Sequence, residues 1–209
     1  YRQTKAVLNL WAGVERIVGN PTLTQPLCRM VDPGLTEGMV EWVVGHTLRH
    51  HINIDRYTVA PDRTWNHDCP PLARDRKVAM LGMGALGEAC ARALKALNFN
   101  VEGWSRSAKS LPDLVTHHGR DGLRAALKDA DFVVTLLPKT AETENIINAQ
   151  ALAAMRPSAY LINVARGKAV AFCDADDQVR LRFELFASRL PLVSPERVQP
   201  LAEMGPEHA

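Results

Sequence analysis

The feature that most constrains this chain is a glycine triplet set between an apolar run and a helical one. Gly82-Met83-Gly84-Ala85-Leu86-Gly87 follows directly on VAMLG (78–82), which suits a buried strand, and opens a stretch (85–97) with helical spacing. G-x-G-x-x-G alone is a weak pattern, but between a strand and a helix it is a strong one. Gly82 permits the tight strand-to-helix turn, Gly84 lets the backbone come close to a pyrophosphate, and Gly87 lets the helix lie against the strand. Ala85 and Leu86, at the helix start, offer unpaired amides and a partial positive charge to phosphates. The bland alternative is a glycine-rich turn with no ligand, and the surrounding pattern argues against it.

That pattern alternates. Strands are expected at NVEGW (100–104), DFVVTLLP (131–138) and AYLINVA (159–165), with helices at 121–129 and 149–155 between them. Strands alternating with helices make an α/β fold, here a Rossmann-type doubly wound parallel sheet. Upstream, KAVLNL (5–10) reads as a short strand, with a further one near 28–31. Asp32-Pro33 starts a helix, since proline lacks an amide hydrogen to leave unpaired in the first turn. Met39, Val40, Val43, Val44, Thr47 and Leu48 then form a stripe on a helix from 35 to 57, and the proline-rich residues 58–75 form a linker. Beyond Lys168 no periodicity is sustained.

The 209 residues, 46% hydrophobic and 23% charged with net charge +2, describe an ordinary globular protein. No basic block points to nucleic acid, and no apolar run reaches membrane-spanning length. Cys28, Cys69, Cys90 and Cys173 are scattered without CxxC, so neither a metal site nor a disulfide framework is expected, and a cytoplasmic setting fits. A start at Tyr1 suggests N-terminal truncation.

The end of the second strand selects the cofactor. An NAD-binding site wants a carboxylate there for the ribose hydroxyls, yet this strand runs into Ser105-Arg106-Ser107, with Lys109 close behind. Hydroxyls and a guanidinium suit a 2′-phosphate. NADP(H) is therefore preferred, with NAD(H) left open. Glu102 lies mid-strand and is expected to point away from the ribose. An ordinary surface Ser-Arg turn is the alternative.

Several segments together resemble the D-isomer-specific 2-hydroxyacid dehydrogenases, nearest their glyoxylate/hydroxypyruvate reductase branch. They are NLWAGVERIV (9–18), VDPGLTEGMVEWVVGHTLRH (31–50), residues 78–107, LLPKTAETENIIN (136–148) and MRPSAYLINVARGKAV (155–170). The resemblance implies an oxidoreductase passing hydride from NADPH to a small 2-oxo acid, in a homodimer. It implies a remnant of a flavodoxin-like substrate domain over 1–33, an interdomain and dimer helix with linker over 34–75, the nucleotide domain over 76–170, and a divergent or disordered tail over 171–209. It places Trp11, Ala12 and Gly13 at the substrate carboxylate, and Leu137, Pro138, Thr143, Val164 and Ala165 along the cofactor. It makes Arg166 catalytic: a planar guanidinium can donate to both carboxylate and keto oxygen and polarise the carbonyl. A methyltransferase with a similar glycine loop fits less well, because LLPKTAET and NVARG have no place in it.

The family completes its chemistry with a glutamate and a proton-donating histidine, and neither is clear after Val170. Phe183-Glu184-Leu185-Phe186 and Pro206-Glu207-His208 are faint echoes. Compositionally the tail resembles an aberrant join, so the chain is expected to be catalytically poor. The alternative function is a non-catalytic NADP(H)-binding relative or inactive fragment. Elsewhere, His46 and His50 read as an exposed or dimer-facing polar stripe rather than a metal pair, and His117-His118 as a solvated loop. Trp42, Trp65 and Trp104 read as packing residues, and Arg74 to Lys77 as a solvated lead-in.

Overall fold

A computed structural model of the chain describes residues 3–10, 13–14, 17–58, 67, 69–138, 140–165 and 183–185. Its centre is a six-stranded, all-parallel sheet. In chain order the strands are β3 (Lys77–Leu81), β4 (Asn100–Ser105), β5 (Val115–His118), β6 (Phe132–Thr135), β7 (Tyr160–Asn163) and β8 (Phe183–Leu185). They lie in the order β5-β4-β3-β6-β7-β8. The chain starts in the middle, winds outward one way, then returns to β3 and winds the other way. This is the doubly wound order expected from the alternating pattern, and its reversal falls between β3 and β6. A separate parallel pair joins β1 (Val7–Asn9) to β2 (Leu27–Arg29).

The central strands β3, β6 and β7 are mostly apolar because both sheet faces are covered there. Val78, Met80, Phe132, Val134 and Ile162 pack on one face with Cys90, Ala91 and Leu94 of α3 (Ala85–Ala96) and with Met39 and Val43 of α1 (Pro33–His51). Ala79, Leu81, Val133 and Leu161 pack on the other with Leu127 of α4 (Gly119–Leu127) and with Ala151 and Leu152 of α5 (Ala149–Ala154). Burial pushes the Cys90 thiol up to about 11, so this cysteine is core rather than nucleophile.

Several sequence expectations change. The helix expected over 35–57 is two: α1 ends at His51 and α2 spans Ile54–Thr58. Asn53 between them has φ +54°, a left-handed conformation that asparagine tolerates and that ends a helix. The start at Asp32-Pro33 holds, since the Asp32 carboxylate accepts from the Gly34 amide at 3.0 Å. His117-His118, read as a solvated loop, belong to β5, an edge strand with only Val115 apolar, and so without a readable run. Within the segment read as divergent, Phe183–Leu185 adds to the sheet as β8, beside β7. His50 is not on an exposed stripe: it is buried and stacks on Tyr160, ring centroids 4.5 Å apart. His51 is buried too. Burial first, then the Arg76 charge, lowers its pKa, against a smaller opposing pull from Asp131.

The charged lead-in is likewise structural. Asp131, 3% exposed, accepts from Arg76 Nη1 at 2.9 Å, from the Lys77 amide at 2.9 Å and from Arg156 Nη1 at 3.2 Å. It ties the starts of β3 and β6 to the chain entering β7. Asp131→Ala leaves a buried amide and two guanidinium groups short of an acceptor, and should destabilise the fold by about 2 kcal/mol. That corresponds to a fall of roughly 4–8 °C in the thermal midpoint. A midpoint unchanged from the parent would refute this role.

Candidate functional site

The loops leaving the carboxyl ends of β4, β3 and β6 come together at the reversal of strand order, where open α/β sheets bind their ligands. The glycine loop sits at its centre. Gly82 has φ +106°, a conformation a side chain would strain, and its amide donates to the Trp104 carbonyl at 2.9 Å. Gly84 is the N-cap of α3, is exposed, and receives no side-chain capping bond. A Cβ built on Gly84 meets nothing within 4 Å, whereas one built on Gly87 lies 1.8 Å from the Gly82 carbonyl oxygen. Gly84 therefore opens a space in front of the helix start, and Gly87 closes the helix onto the turn. Ala85 is exposed beside Gly84, while Leu86 leans onto the core. Unencumbered backbone, a helix N-terminus and a glycine-free-volume cradle fit a dinucleotide pyrophosphate.

On one flank, β4 ends at Ser105 without a carboxylate. The Ser105 hydroxyl donates to the Ser107 carbonyl at 2.8 Å, so this serine shapes the turn that presents Arg106 and Ser107. Arg106 is exposed and pairs with Glu142 across the site. Lys109, only a neighbour in the sequence reading, donates from Nζ to the Met83 carbonyl at 2.6 Å and so tethers this segment to the glycine loop. Glu102 is committed elsewhere, as expected. Its Oε2 lies 2.9 Å from Lys77 Nζ and 2.8 Å from His117 Nε2. Burial works against its ionised form, but the bonds from Lys77 and His117 outweigh that and lower its pKa. It is a structural carboxylate, held by Lys77 and His117.

On the other flank, the chain leaves β6 through Leu136, whose amide donates to the Leu81 carbonyl at 2.8 Å. Leu137 is buried against the glycine turn, its Cδ2 3.3 Å from the position of a Gly82 Cβ, and Pro138 is exposed. The Thr143 hydroxyl donates to the Pro138 carbonyl and accepts from the Thr140 amide at 2.9 Å. Thr143 therefore organises the turn 140–145. Val164 continues from β7, its amide donating to the Thr135 carbonyl at 3.0 Å, and the Ala165 amide is capped by Asn163 Oδ1 at 3.1 Å. Gly13 lies by the separate strand pair, its carbonyl accepting from Asn9 Nδ2 at 2.9 Å. Trp11, Ala12 and Arg166 lie outside the described residues, as do Pro206 to His208. Among the described residues no group of acidic, histidine and cysteine side chains could hold a metal.

Sequence reasoning missed Glu142 and Asp131. Both act through partners distant in the chain, and nothing in a single sequence announces such a pairing. Trp104 is packing, as read: it is buried, and its indole nitrogen donates to the Gly119 carbonyl at 2.8 Å.

Residues 42–175 match the family described as D-isomer specific 2-hydroxyacid dehydrogenase, NAD binding domain. A glyoxylate/hydroxypyruvate reductase A of Serratia proteamaculans is 34% identical over 171 residues, 78% of this chain but 55% of that protein. Its namesake in Salmonella heidelberg is 34% identical and aligns with 100% of this chain and 72% of itself. The chain thus spans little more than half of one such relative and under three quarters of another. Among solved structures, the NADPH-dependent glyoxylate/hydroxypyruvate reductase of Sinorhizobium meliloti, in complex with NADP and sulfate, superposes with a TM-score of 0.80 at 34% identity. That match covers 97% of this chain and 67% of the other. A D-isomer specific 2-hydroxyacid dehydrogenase of Xanthobacter autotrophicus Py2, in complex with NADPH and MES, gives 0.78 at 34% identity, covering 91% and 64%.

Proposed function

The chain belongs to the D-isomer-specific 2-hydroxyacid dehydrogenase family, and from that premise we propose that it binds NADP(H) and serves the reduction of a small 2-oxo acid of the glyoxylate or hydroxypyruvate kind. The observation that carries the cofactor preference is the end of β4. Ser105, Arg106 and Ser107 stand there, and the nearest carboxylate on the strand, Glu102, is held by Lys77 and His117. A site without a ribose-binding acid and with an exposed guanidinium favours a 2′-phosphate over a 2′-hydroxyl.

NADPH, when bound, supplies the hydride. The helix start at Ala85 and Leu86 offers amides to the pyrophosphate, and Arg106 and Ser107 offer donors to the 2′-phosphate. Leu137 and Pro138 supply an apolar wall beside the loop, and Val164 and Ala165 border the cleft at the end of β7. Arg166 is assigned to polarising the substrate carbonyl, and the backbone at Trp11, Ala12 and Gly13 to holding the substrate carboxylate. Both assignments follow from family membership and the chemistry of a 2-oxo acid. A homodimer formed through α1 and a cytoplasmic setting complete the proposal; among the described residues no helix is long and apolar enough to cross a membrane.

Titration of the chain with NADPH and NADH, followed by nucleotide fluorescence, tests the cofactor. NADPH should bind more tightly. Arg106→Ala should weaken NADPH by about 1–3 kcal/mol, roughly 5- to 150-fold, and leave NADH unchanged. Equal affinities for the two nucleotides in the unaltered chain would sink the preference. Glyoxylate-dependent NADPH oxidation tests the reaction, and cofactor binding with no turnover would favour a non-catalytic relative.

A further inference from the structure

We propose that Glu142 is a selectivity element of the cofactor site: its carboxylate holds Arg106 in the free protein and surrenders it to the 2′-phosphate of NADP(H). The proposal rests on reading the site as one for NADP(H). The Arg106–Glu142 ion pair joins the segment after β4 to the segment after β6. In the sheet β3 lies between those strands, so the pair straddles the strand from which the glycine loop emerges.

Both ends of the pair are set by local structure. The Thr140 amide donates to Thr143 Oγ1 at 2.9 Å, and the Thr143 and Glu144 amides donate to the Thr140 carbonyl at 3.1 and 3.0 Å. These bonds fix the turn that carries Glu142. The Ser105–Ser107 bond fixes the turn that carries Arg106. Among the described residues the cation paired with Glu142 is Arg106, while Lys109 donates to the Met83 carbonyl.

The two side chains are 79% and 63% exposed, and an ion pair in that setting is weak enough to exchange. A phosphate monoester brings a charge of about −1.5 to −2 and three acceptor oxygens, and outcompetes a single carboxylate for a guanidinium. NADP(H) therefore binds at the expense of the pair. NAD(H), lacking the phosphate, leaves the pair intact. Glu142 thus lowers affinity for the phosphorylated cofactor alone and sets how strongly the site discriminates.

Nucleotide titrations of the unaltered chain, Glu142→Gln, Arg106→Ala and the double variant decide the matter, each accompanied by a thermal melt. Glu142→Gln should bind NADPH about two- to fivefold more tightly, the range expected for releasing one exposed ion pair, with NADH affinity and melting midpoint unchanged. In the Arg106→Ala background the same change should give no gain. Unchanged or weaker NADPH binding by Glu142→Gln overturns the proposal. So does an equal gain with Arg106 absent, which would mean simple charge repulsion. Equal losses for both nucleotides with a lower midpoint would make Glu142 a loop support and overturn it as well. If the unaltered chain does not prefer NADPH at all, the reading of the site falls and this inference with it. A clear NADPH preference without the Glu142 effect removes the inference alone.

Discussion

Gly84→Val should abolish dinucleotide binding while the protein stays folded. The first half follows from where the side chain would go. A Cβ on Gly84 meets no protein atom within 4 Å, so a valine there occupies the space in front of the α3 start rather than the core. That is the space a pyrophosphate needs in order to reach the helix amides. Losing two charge-assisted bonds of about 1.5–3 kcal/mol each weakens binding more than about 100-fold. The second half follows from the backbone. Gly84 sits at φ −79°, ψ −171°, extended geometry that valine adopts readily. Valine is a poorer N-cap than glycine, at a cost on the order of 1 kcal/mol, or roughly 2–4 °C in the melting midpoint. NADPH titration beside a melt checks both halves. A folded variant with unchanged affinity would remove the glycine loop from the binding site. A variant that fails to fold would contradict the open space at Gly84.

The contrast between local and distant information explains what the sequence revealed. The glycine loop, its flanking strand and helix, and the alternation behind them are local patterns, set by periodicities of two and 3.6 residues. They appear in the structure, most within a residue or two, although the strand expected over 131–138 already ends at Thr135. The end of β4 was legible for the same reason, since the missing carboxylate can be read directly from Ser105 to Ser107. What stayed hidden depends on contacts between remote segments. His117 looks like a solvated histidine until β5 is seen to lie beside β4, which brings it to Glu102. Arg76 and Lys77 look like solvated charge until Asp131, more than fifty residues on, is placed beneath them. The break between α1 and α2 was missed because the apolar stripe alone does not register one asparagine in a left-handed conformation.

A second glycine in the same loop should behave in the opposite way: Gly87→Ala should cost the fold, with cofactor affinity lost only as a consequence. Here the added methyl would lie 1.8 Å from the Gly82 carbonyl oxygen and 2.9 Å from its carbon. No rotamer relieves the clash, because the carbon in question is Cβ itself. Nor can the obstacle swing aside. Gly82 is held by the hydrogen bond from its amide to the Trp104 carbonyl and by its own positive φ, and a Cβ there would already stand 3.0 Å from the Leu136 backbone. Relief requires α3 to back away from the turn until the contact reaches the ordinary 3.4 Å or more. That motion lifts Cys90, Ala91 and Leu94, all fully buried, off β3 and its neighbours. Overpacking a core commonly costs about 1–3 kcal/mol, and a clash against fixed backbone belongs at or above the top of that range. We expect a loss of at least about 3 kcal/mol, roughly 6–12 °C in the thermal midpoint. Urea unfolding of the cofactor-free chain measures it directly, and a midpoint for Gly87→Ala within error of the parent would show that α3 does not rest on Gly82. Gly84→Val and Gly87→Ala, measured side by side, separate a glycine kept for a ligand from one kept for packing.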